Sequence, residues 1–281
     1  MKVVKYPDRM QAICRRLKAQ GKRLGFVPTM GYLHEGHLSL MRQAKAENDI
    51  CIISIFVNPL QFGPREDFKR YPRDFNRDRK LAKDVGVDFI FFPSQADMYS
   101  HNFSSEVNAG KMGEILCGIS RPGHFKGVTT VVLKLLNITL ADVAYFGQKD
   151  FQQARIIQNM VKDLNHPVKI KMLPIIRDED GLAMSSRNRY LSTRGRSDAR
   201  VLYRSLIEAR RKIGGGCRSS KAIISTIKNL ISTVRSARID YIVIVDVDDS
   251  SCMSRLRGEI AILLAVKIGG VRLIDNIIIK I

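Results

Sequence analysis

Gly25-Phe-Val-Pro-Thr-Met-Gly-Tyr-Leu-His-Glu-Gly-His37 is the stretch from which the fold is read. A short apolar run, Phe26 and Val27, ends at Pro28. A turn at Met30 and Gly31 follows, and a helix is predicted to open at His34 with His34 and His37 on one face. Their i, i+3 spacing sets the two imidazoles side by side on the first turn. The N–H groups of a first helical turn have no intrahelical partner, and the helix dipole is positive at that end. Gly36, between the histidines, has no side chain to hold a ligand off. A strand, a tight turn and such a helix start make an anion site suited to nucleotide phosphates.

Working outward, the strand at 24–28 and the helix at 34–47 are followed by Ile50-Cys-Ile-Ile-Ser-Ile-Phe-Val57, apolar almost throughout. That is the composition of a parallel strand covered on both faces. Strand, helix and buried strand form a βαβ unit. The loop Asn58-Pro-Leu-Gln-Phe-Gly63 leaves the carboxyl end of the second strand, where ligands sit in open α/β sheets. Ahead of this unit a helix is expected at 9–20, with Met10, Ile13, Cys14 and Leu17 on its buried side.

After it, the pattern predicts a helix at 74–85 closing at Gly86, a strand at 87–92 and a Gly-rich irregular region at 94–128. A helix at 128–137, a strand at 143–146, a helix at 151–164 and a strand at 169–176 complete this half. The polar turn Arg177-Asp-Glu-Asp-Gly181 marks a domain boundary, giving expected domains of 1–176 and 177–281. In the second, helices at 196–213 and 220–237 precede strands at 239–245, 259–268 and 271–279. The Gly269-Gly270 turn makes the last two an antiparallel hairpin. The fold class is therefore α/β, a parallel sheet with helices on both faces plus a smaller α+β domain containing three antiparallel strands.

At 281 residues, 45% apolar and 26% charged, the composition is that of a globular protein. No apolar run reaches membrane-spanning length and residues 1–20 lack a signal-peptide core, so a cytoplasmic location and no membrane partner are expected. The five cysteines are dispersed and never paired as Cys-x-x-Cys, which argues against disulfides and zinc-thiolate sites. A formal net charge of +20 raises nucleic-acid binding. The basic residues are spread along the chain without interleaved aromatics, so no nucleic-acid partner is expected.

Several clusters carry chemistry. His34-x-x-His37 lacks the i, i+4 spacing of helical zinc sites, and no third ligand stands out among His101, His124 and His166, so no protein metal site is expected. Gly147-Gln148-Lys149-Asp150 stands at a second strand-to-helix junction. Lys149 could reach phosphate oxygens, and Asp150 could cap the helix or bind a ribose hydroxyl. Met184-Ser185-Ser186-Arg187 offers two hydroxyls and a guanidinium for charge on a transferring phosphoryl group, or forms a capped turn. Gln61 and Gln153 are neutral hydrogen-bonders suited to a hydroxy acid.

Together these segments resemble the pantoate–β-alanine ligase (pantothenate synthetase) family. The matching text is Pro28-Thr-Met-Gly-Tyr-Leu-His-Glu-Gly-His37, Phe56-Val-Asn-Pro-Leu-Gln-Phe-Gly63, Tyr71-Pro-Arg73, Arg121-Pro-Gly-His-Phe125 and Phe146-Gly-Gln-Lys-Asp-Phe-Gln-Gln153. It continues in Asp180-Gly-Leu-Ala-Met-Ser-Ser-Arg-Asn-Arg-Tyr-Leu191 and Gly270-Val-Arg-Leu-Ile-Asp-Asn276. The family belongs to a nucleotidyltransferase superfamily; His34-Glu-Gly-His37 is similar to its His-x-Gly-His signature and Met184-Ser-Ser-Arg187 to its Lys-Met-Ser-Lys-Ser-like loop.

The resemblance implies a Rossmann-like catalytic domain, a lid-like second domain, a homodimer, and ATP with Mg²⁺ held mainly by the phosphates. It also implies the reaction: ATP activates pantoate as an adenylate with loss of pyrophosphate, and the amine of β-alanine displaces AMP. Met30, Gly31, Tyr32, Leu33, His34, Glu35, Gly36 and His37 would bind ATP, with His37 as proton donor. Gly147, Gln148, Lys149, Asp150, Ile176, Met184, Ser185, Ser186 and Arg187 would complete the nucleotide site, with His34, Lys149, Ser185, Ser186 and Arg187 assisting the chemistry. Gln61 would contact both pantoate and β-alanine, Gln153 pantoate, and Asn58, Tyr71, Arg121 and His124 would surround the pocket. Gln148 stands where the family commonly has Glu. The alternatives are a related nucleotidyltransferase that adenylates a phosphate, which would not need Gln61 and Gln153, and a basic nucleic-acid-binding protein.

Overall fold

Strands that alternate between two apolar faces need cover on both, and that requirement sets the architecture of the first half of the chain. The computed structural model describes residues 1–64 and 66–281. Its elements divide into two compact units, residues 1–148 with 152–174, and residues 149–151 with 175–281.

The first unit opens with β1 (Lys2–Val4) and α1 (Pro7–Ala19), followed by β2 (Leu24–Thr29), α2 (Glu35–Glu47) and β3 (Ile50–Ile55). Next come α3 (Phe75–Val85), β4 (Phe89–Phe91) and two single-turn helices, α4 (Gln95–Met98) and α5 (Cys117–Ser120). The long helix α6 (His124–Thr139), β5 (Val143–Gly147), α7 (Phe151–Asp163) and β6 (Lys169–Leu173) complete the series. The six strands pair in the order β1-β4-β3-β2-β5-β6, and every pairing is parallel.

Successive residues feed opposite cores. Phe26, Ile52, Phe91 and Ala144 pack with Met10 and Cys14 of α1, Val132 and Leu136 of α6, and Ile157 of α7. Val27, Ile53, Ile90 and Tyr145 pack with Leu38 and Met41 of α2 and Ala82 of α3. Helices therefore cover both faces, as the apolar runs require.

The order reverses at β2. Chain growth runs outward through β3 and β4 on one side, then returns to place β5 on the other. The crevice outside the carboxyl ends of β2 and β5 is the topological switch point, the ligand position in open α/β sheets. Thr29 ends β2 and Gly147 ends β5, so both phosphate-binding candidates of this unit leave from that edge.

The second unit contains α8 (Thr193–Ala199), α9 (Val201–Gly214), α10 (Ser220–Ser232), β7 (Ala237–Asp246), β8 (Glu259–Ile268) and β9 (Val271–Lys280). β8 lies between β7 and β9, antiparallel to both. Alternate residues Ile260, Ile262, Leu264 and Val266 pack with Leu202 and Leu206 of α9 and with Ile223 and Ile227 of α10. This is the α+β domain with three antiparallel strands expected from the helix-then-strand order.

Several boundaries differ from the sequence reading. β1 has only three residues, too few to show a period. His34 is the extended cap ahead of α2 rather than its first residue. The region at 94–128 holds α4 and α5, and α6 begins at His124, not 128, because Phe125 and Val128 already face the core. The strands at 87–92 and 169–176 are trimmed to Phe89–Phe91 and Lys169–Leu173. The helix expected at 196–213 is two helices meeting at Arg200, and the one expected to reach 237 stops at Ser232, before β7 opens at Ala237. Among the described residues, no helix is long and apolar enough to cross a membrane.

Candidate active site

Beyond Thr29 the main chain turns sharply through Met30 and Gly31. Gly31 has φ +80°, and a Cβ there would stand 2.9 Å from Asp78 Oδ2 and from Ile55 Cγ2, so both conformation and space call for glycine. Tyr32 also takes a positive φ, 52°. Two things hold this turn. The Gly31 N–H donates to Thr29 Oγ1 at 3.1 Å, while that hydroxyl donates to the Ser54 carbonyl at 2.7 Å. Asp78, only 1% exposed on α3, accepts from the Tyr32 and Leu33 N–H groups, each at 2.7 Å.

Burial pushes the Asp78 carboxyl above the usual carboxylate range, and the Leu33 and Tyr32 N–H groups and Arg77 pull it back down. Arg77 donates to the Leu33 carbonyl at 2.9 Å and lies 5.2 Å from the Tyr32 ring centroid. Asp78 escaped the sequence reading. The signal was available: Phe75, Asp78 and Ala82 share one face of α3 at i, i+3, i+7, so a carboxylate falls among inward residues and demands buried donors.

The turn delivers His34 as the cap of α2 and His37 to its first turn. Their ring centroids are 4.1 Å apart, and His37 Nδ1 accepts from the His34 N–H at 3.4 Å. The paired imidazoles predicted from spacing are thus present at a helix amino terminus, beside Glu35 and Gly36. Glu35 pairs with Arg42 along the helix, which holds its carboxyl below the ordinary range.

Gln61, buried in the loop after β3, is fixed through both its side chain and its backbone. Its amide donates towards Met30 Sδ at 3.0 Å, and its Oε1 faces Asn58 Nδ2 at 3.3 Å. Asn58 Oδ1 accepts from Tyr99 Oη at 2.8 Å, and Asn58 Nδ2 donates to the Gly127 carbonyl at 3.0 Å. Gly127 permits α6 to lie against this loop: a Cβ there would come within 2.2 Å of the Leu60 carbonyl oxygen.

Arg121 and His124, predicted to surround the pocket, both reach the Gln61 backbone. His124 Nδ1 is 2.8 Å from the Gln61 carbonyl oxygen, and Arg121 donates to the same oxygen at 3.2 Å. Arg121 also forks onto Glu66 and lies 2.9 Å from His124 Nε2. Tyr71 is buried edge-on against Phe62, with ring centroids 5.9 Å apart. Gln153 is half-buried on the first turn of α7. Its neighbour Gln152, missed in the sequence, binds the Met112 and Ile115 carbonyls and the Cys117 N–H at 2.8–3.1 Å and so fixes the segment before α6. Gly147 ends β5, and Gln148 opens the 3-10 turn that follows.

In the second unit, residues 176–184 form a narrow hairpin. The Met184 N–H donates to the Ile176 carbonyl at 3.0 Å, and Arg177 bridges Ala183. Ser185 then caps a 3-10 turn, Ser186–Tyr190, accepting from the Arg187 N–H at 3.3 Å; Ser186 is buried. Of the two readings open for Met184 to Arg187, the capped turn is present, and it presents Ser185 and Arg187 on one short loop. The same unit contains residues 149–151, where Lys149 Nζ is paired with the Asp150 carboxylate at 3.1 Å. Among the described residues, no three His, Cys, Asp or Glu side chains converge as metal ligands.

A doubly wound parallel sheet with paired imidazoles on a helix amino terminus at its switch point is the frame of a nucleotide-binding α/β enzyme. The profile of the family described as pantoate-beta-alanine ligase matches residues 2–278. The pantothenate synthetase of Caldicellulosiruptor bescii is 54% identical over 280 residues, spanning 100% of this chain and 99% of that one. A crystal structure of pantothenate synthetase from Thermus thermophilus matches with a TM-score of 0.94 at 42% identity, over 99% of each chain. A pantoate-beta-alanine ligase from Francisella tularensis, complexed with beta-gamma ATP and beta-alanine, matches with a TM-score of 0.79 at 36% identity, over 99% of this chain and 97% of that one. The chain belongs to the pantoate–β-alanine ligase family and, like its relatives, is an enzyme.

Proposed function

We propose that this chain condenses pantoate with β-alanine at the expense of ATP, through a pantoyl adenylate, and releases AMP and pyrophosphate. The observation that carries the reading is the switch-point turn: Met30 to His37 leads two imidazoles onto a helix amino terminus while Met30 touches Gln61. One element there suits phosphates and the other suits a hydroxy acid. The Francisella relative's complex with beta-gamma ATP and beta-alanine supports the choice of substrates.

In the first step a pantoate carboxylate oxygen attacks the α-phosphorus. An O–P bond forms, the bond to the bridging oxygen breaks, and pyrophosphate leaves with the electron pair. In the second, the β-alanine amine attacks the acyl carbon, AMP leaves with the C–O electron pair, and the amine's proton passes to solvent. Neither step needs a protein-bound intermediate, so the work is positioning and stabilisation of charge at phosphorus.

Each unit carries nucleotide-binding residues in this reading. The first has Met30 to His37, Gly147 and Gln148, with His34 and His37 donating to phosphate oxygens. The second has Lys149, Asp150, Ile176, Met184, Ser185, Ser186 and Arg187, with Lys149 exchanging its Asp150 partner for phosphate. Gln61 and Gln153 take the pantoate, and Gln61 also the β-alanine. Asn58, Arg121 and His124 act by holding Gln61, and Tyr71 packs beneath the loop. Mg²⁺ arrives with ATP, bound mainly by phosphate oxygens and water, as suits a cation that dehydrates reluctantly. The enzyme works in this reading as a cytoplasmic homodimer.

The test is an assay with ATP, pantoate and β-alanine in which each is omitted in turn. Pyrophosphate release should require pantoate, and omission of β-alanine should leave a trapped adenylate. Release that ignores pantoate overturns the reading.

A further inference from the structure

The segment Gly270-Val-Arg-Leu-Ile-Asp-Asn276 opens β9, yet none of its residues has a part in the reaction just described. Its last two side chains are buried, each 2% exposed, on a strand whose neighbours are mostly apolar. Buried polar groups at such positions are retained where they bind something that must not move.

Asn276 turns its amide to the main chain of the Lys149 segment. Its Nδ2 donates to the Lys149 carbonyl at 3.0 Å, across 127 residues of sequence. Asn276 is fixed in turn, because its own N–H donates to Asp275 Oδ1 at 2.7 Å. Asp275 receives both arms of Arg177, at 2.7 and 2.8 Å, in the fork geometry that most constrains a guanidinium. Arg177 then donates to the Gly181 carbonyl at 3.1 Å, and its guanidinium carbon lies 3.9 Å from the Tyr203 ring centroid. One continuous set of hydrogen bonds therefore runs from Lys149 through Asn276, Asp275 and Arg177 to the turn that precedes Met184.

We propose that Asn276 is a positioning residue for Lys149, and that the Asp275–Arg177 pair extends the same support to the turn leading into Met184 to Arg187. The inference rests on the reading of Lys149 as a phosphate-binding group. A lysine side chain is long and its ammonium acts as a point charge, so its aim is set by the Cα frame it hangs from. That frame is secured at the carbonyl by Asn276. The Lys149–Asp150 pairing constrains only the far end and is given up when phosphate binds. Loss of the Asn276 amide leaves Lys149 present but poorly aimed, and a displacement of about 1 Å at such a group costs as much as about 10²-fold in rate.

A double-mutant cycle on the full-length enzyme tests this, with pantoate-dependent pyrophosphate release as the readout. Lys149→Ala is expected to lose about 10²-fold in kcat, as for other donors aimed at developing charge. Asn276→Ala is expected to lose about tenfold or more in kcat with the pantoate KM unchanged, and to cost less than about twofold in the Lys149→Ala background, because coupled residues do not add. Asn276→Ser, whose hydroxyl is too short to reach the carbonyl, substitutes if the alanine variant does not fold. Equal losses in both backgrounds would make Asn276 merely structural and overturn the inference while leaving Lys149 in place. A near-normal Lys149→Ala enzyme would overturn both the inference and the role of Lys149. An Asn276 variant with unchanged kcat would overturn the inference alone.

Discussion

Replacing Asp78 by alanine would remove the carboxylate that accepts from the Tyr32 and Leu33 N–H groups, at a cost of about 1–3 kcal/mol for the buried Leu33 donor. Both donors belong to the turn that aims His34 and His37, so the damage falls on ATP before it falls on pantoate. The expected outcome for Asp78→Ala is a lowered melting temperature with a rise in the ATP KM larger than that for pantoate. Asp78→Asn, which keeps one acceptor oxygen, should show a smaller version of both. Equal changes in the two KM values would detach Asp78 from the nucleotide turn. The pattern of the site residues explains why some were legible in the sequence. His34 and His37 declare themselves by helical spacing, whereas Asn58 binds the Gly127 carbonyl, and Arg121 and His124 the Gln61 carbonyl, where α6 approaches the loop at Gly127. No local pattern records such an approach. The family resemblance named these residues; only the folded chain shows what they touch.

Among the elements, α2, β5 and β6 share a polar cluster away from the switch point. Glu47 of α2 accepts from Tyr145 of β5 at 2.6 Å and from Lys171 of β6 at 2.6 and 2.7 Å. Hydrogen bonds from Lys171, Tyr145 and Gln43 draw its carboxyl from an ordinary 4.5 down to about 2. A depressed carboxylate adds stability above its unfolded value, and that contribution fades as pH falls from about 4.5 towards about 2. Melting temperatures measured from about pH 6 down to about pH 3 should therefore drop more steeply for the native enzyme than for Glu47→Gln. Parallel curves would mean that the cluster adds nothing. Elements of three or four residues, β1, β4, α4 and α5, are missed or misjudged because a period needs more residues than they possess, while longer ones such as α6, β6 and α10 differ only in their bounds. The longer elements were legible because each must show an apolar face to one of two cores. The break at Arg200 between α8 and α9 was not, as the helical pattern runs through it.

For the molecule as a whole, the formal charge of +20 bears on a reaction in which pantoate, ATP and pyrophosphate are all anions. A positive surface raises the local concentration of such substrates and their encounter rate, and salt screens it. At subsaturating pantoate, kcat/KM should fall several-fold between about 20 mM and about 200 mM salt while kcat holds, since the Debye length shrinks to below about 10 Å over that range. A flat salt profile would leave the charge without a catalytic consequence. The fold class was legible from hydrophobic pattern alone, because one βαβ unit followed by alternating strands and helices admits few alternatives. The reaction was not. Spacing and charge reach only as far as a phosphate site beside hydrogen-bonding glutamines, and family membership supplies pantoate and β-alanine.

The bond between Asn276 and Lys149 also has a bearing on synthesis. A nascent chain that has already folded β2, α2 and β3 holds its imidazole pair, yet the carbonyl of Lys149 must wait for a partner made 127 residues later. During that interval the proposed support of Lys149 is absent, however well the sheet has formed. On the proposal above, a chain cut within β9 before Asn276 would keep Lys149 but lose the amide that aims it. In that reading the full rate is reached only once β9 has joined its sheet and Asn276 holds the Lys149 carbonyl.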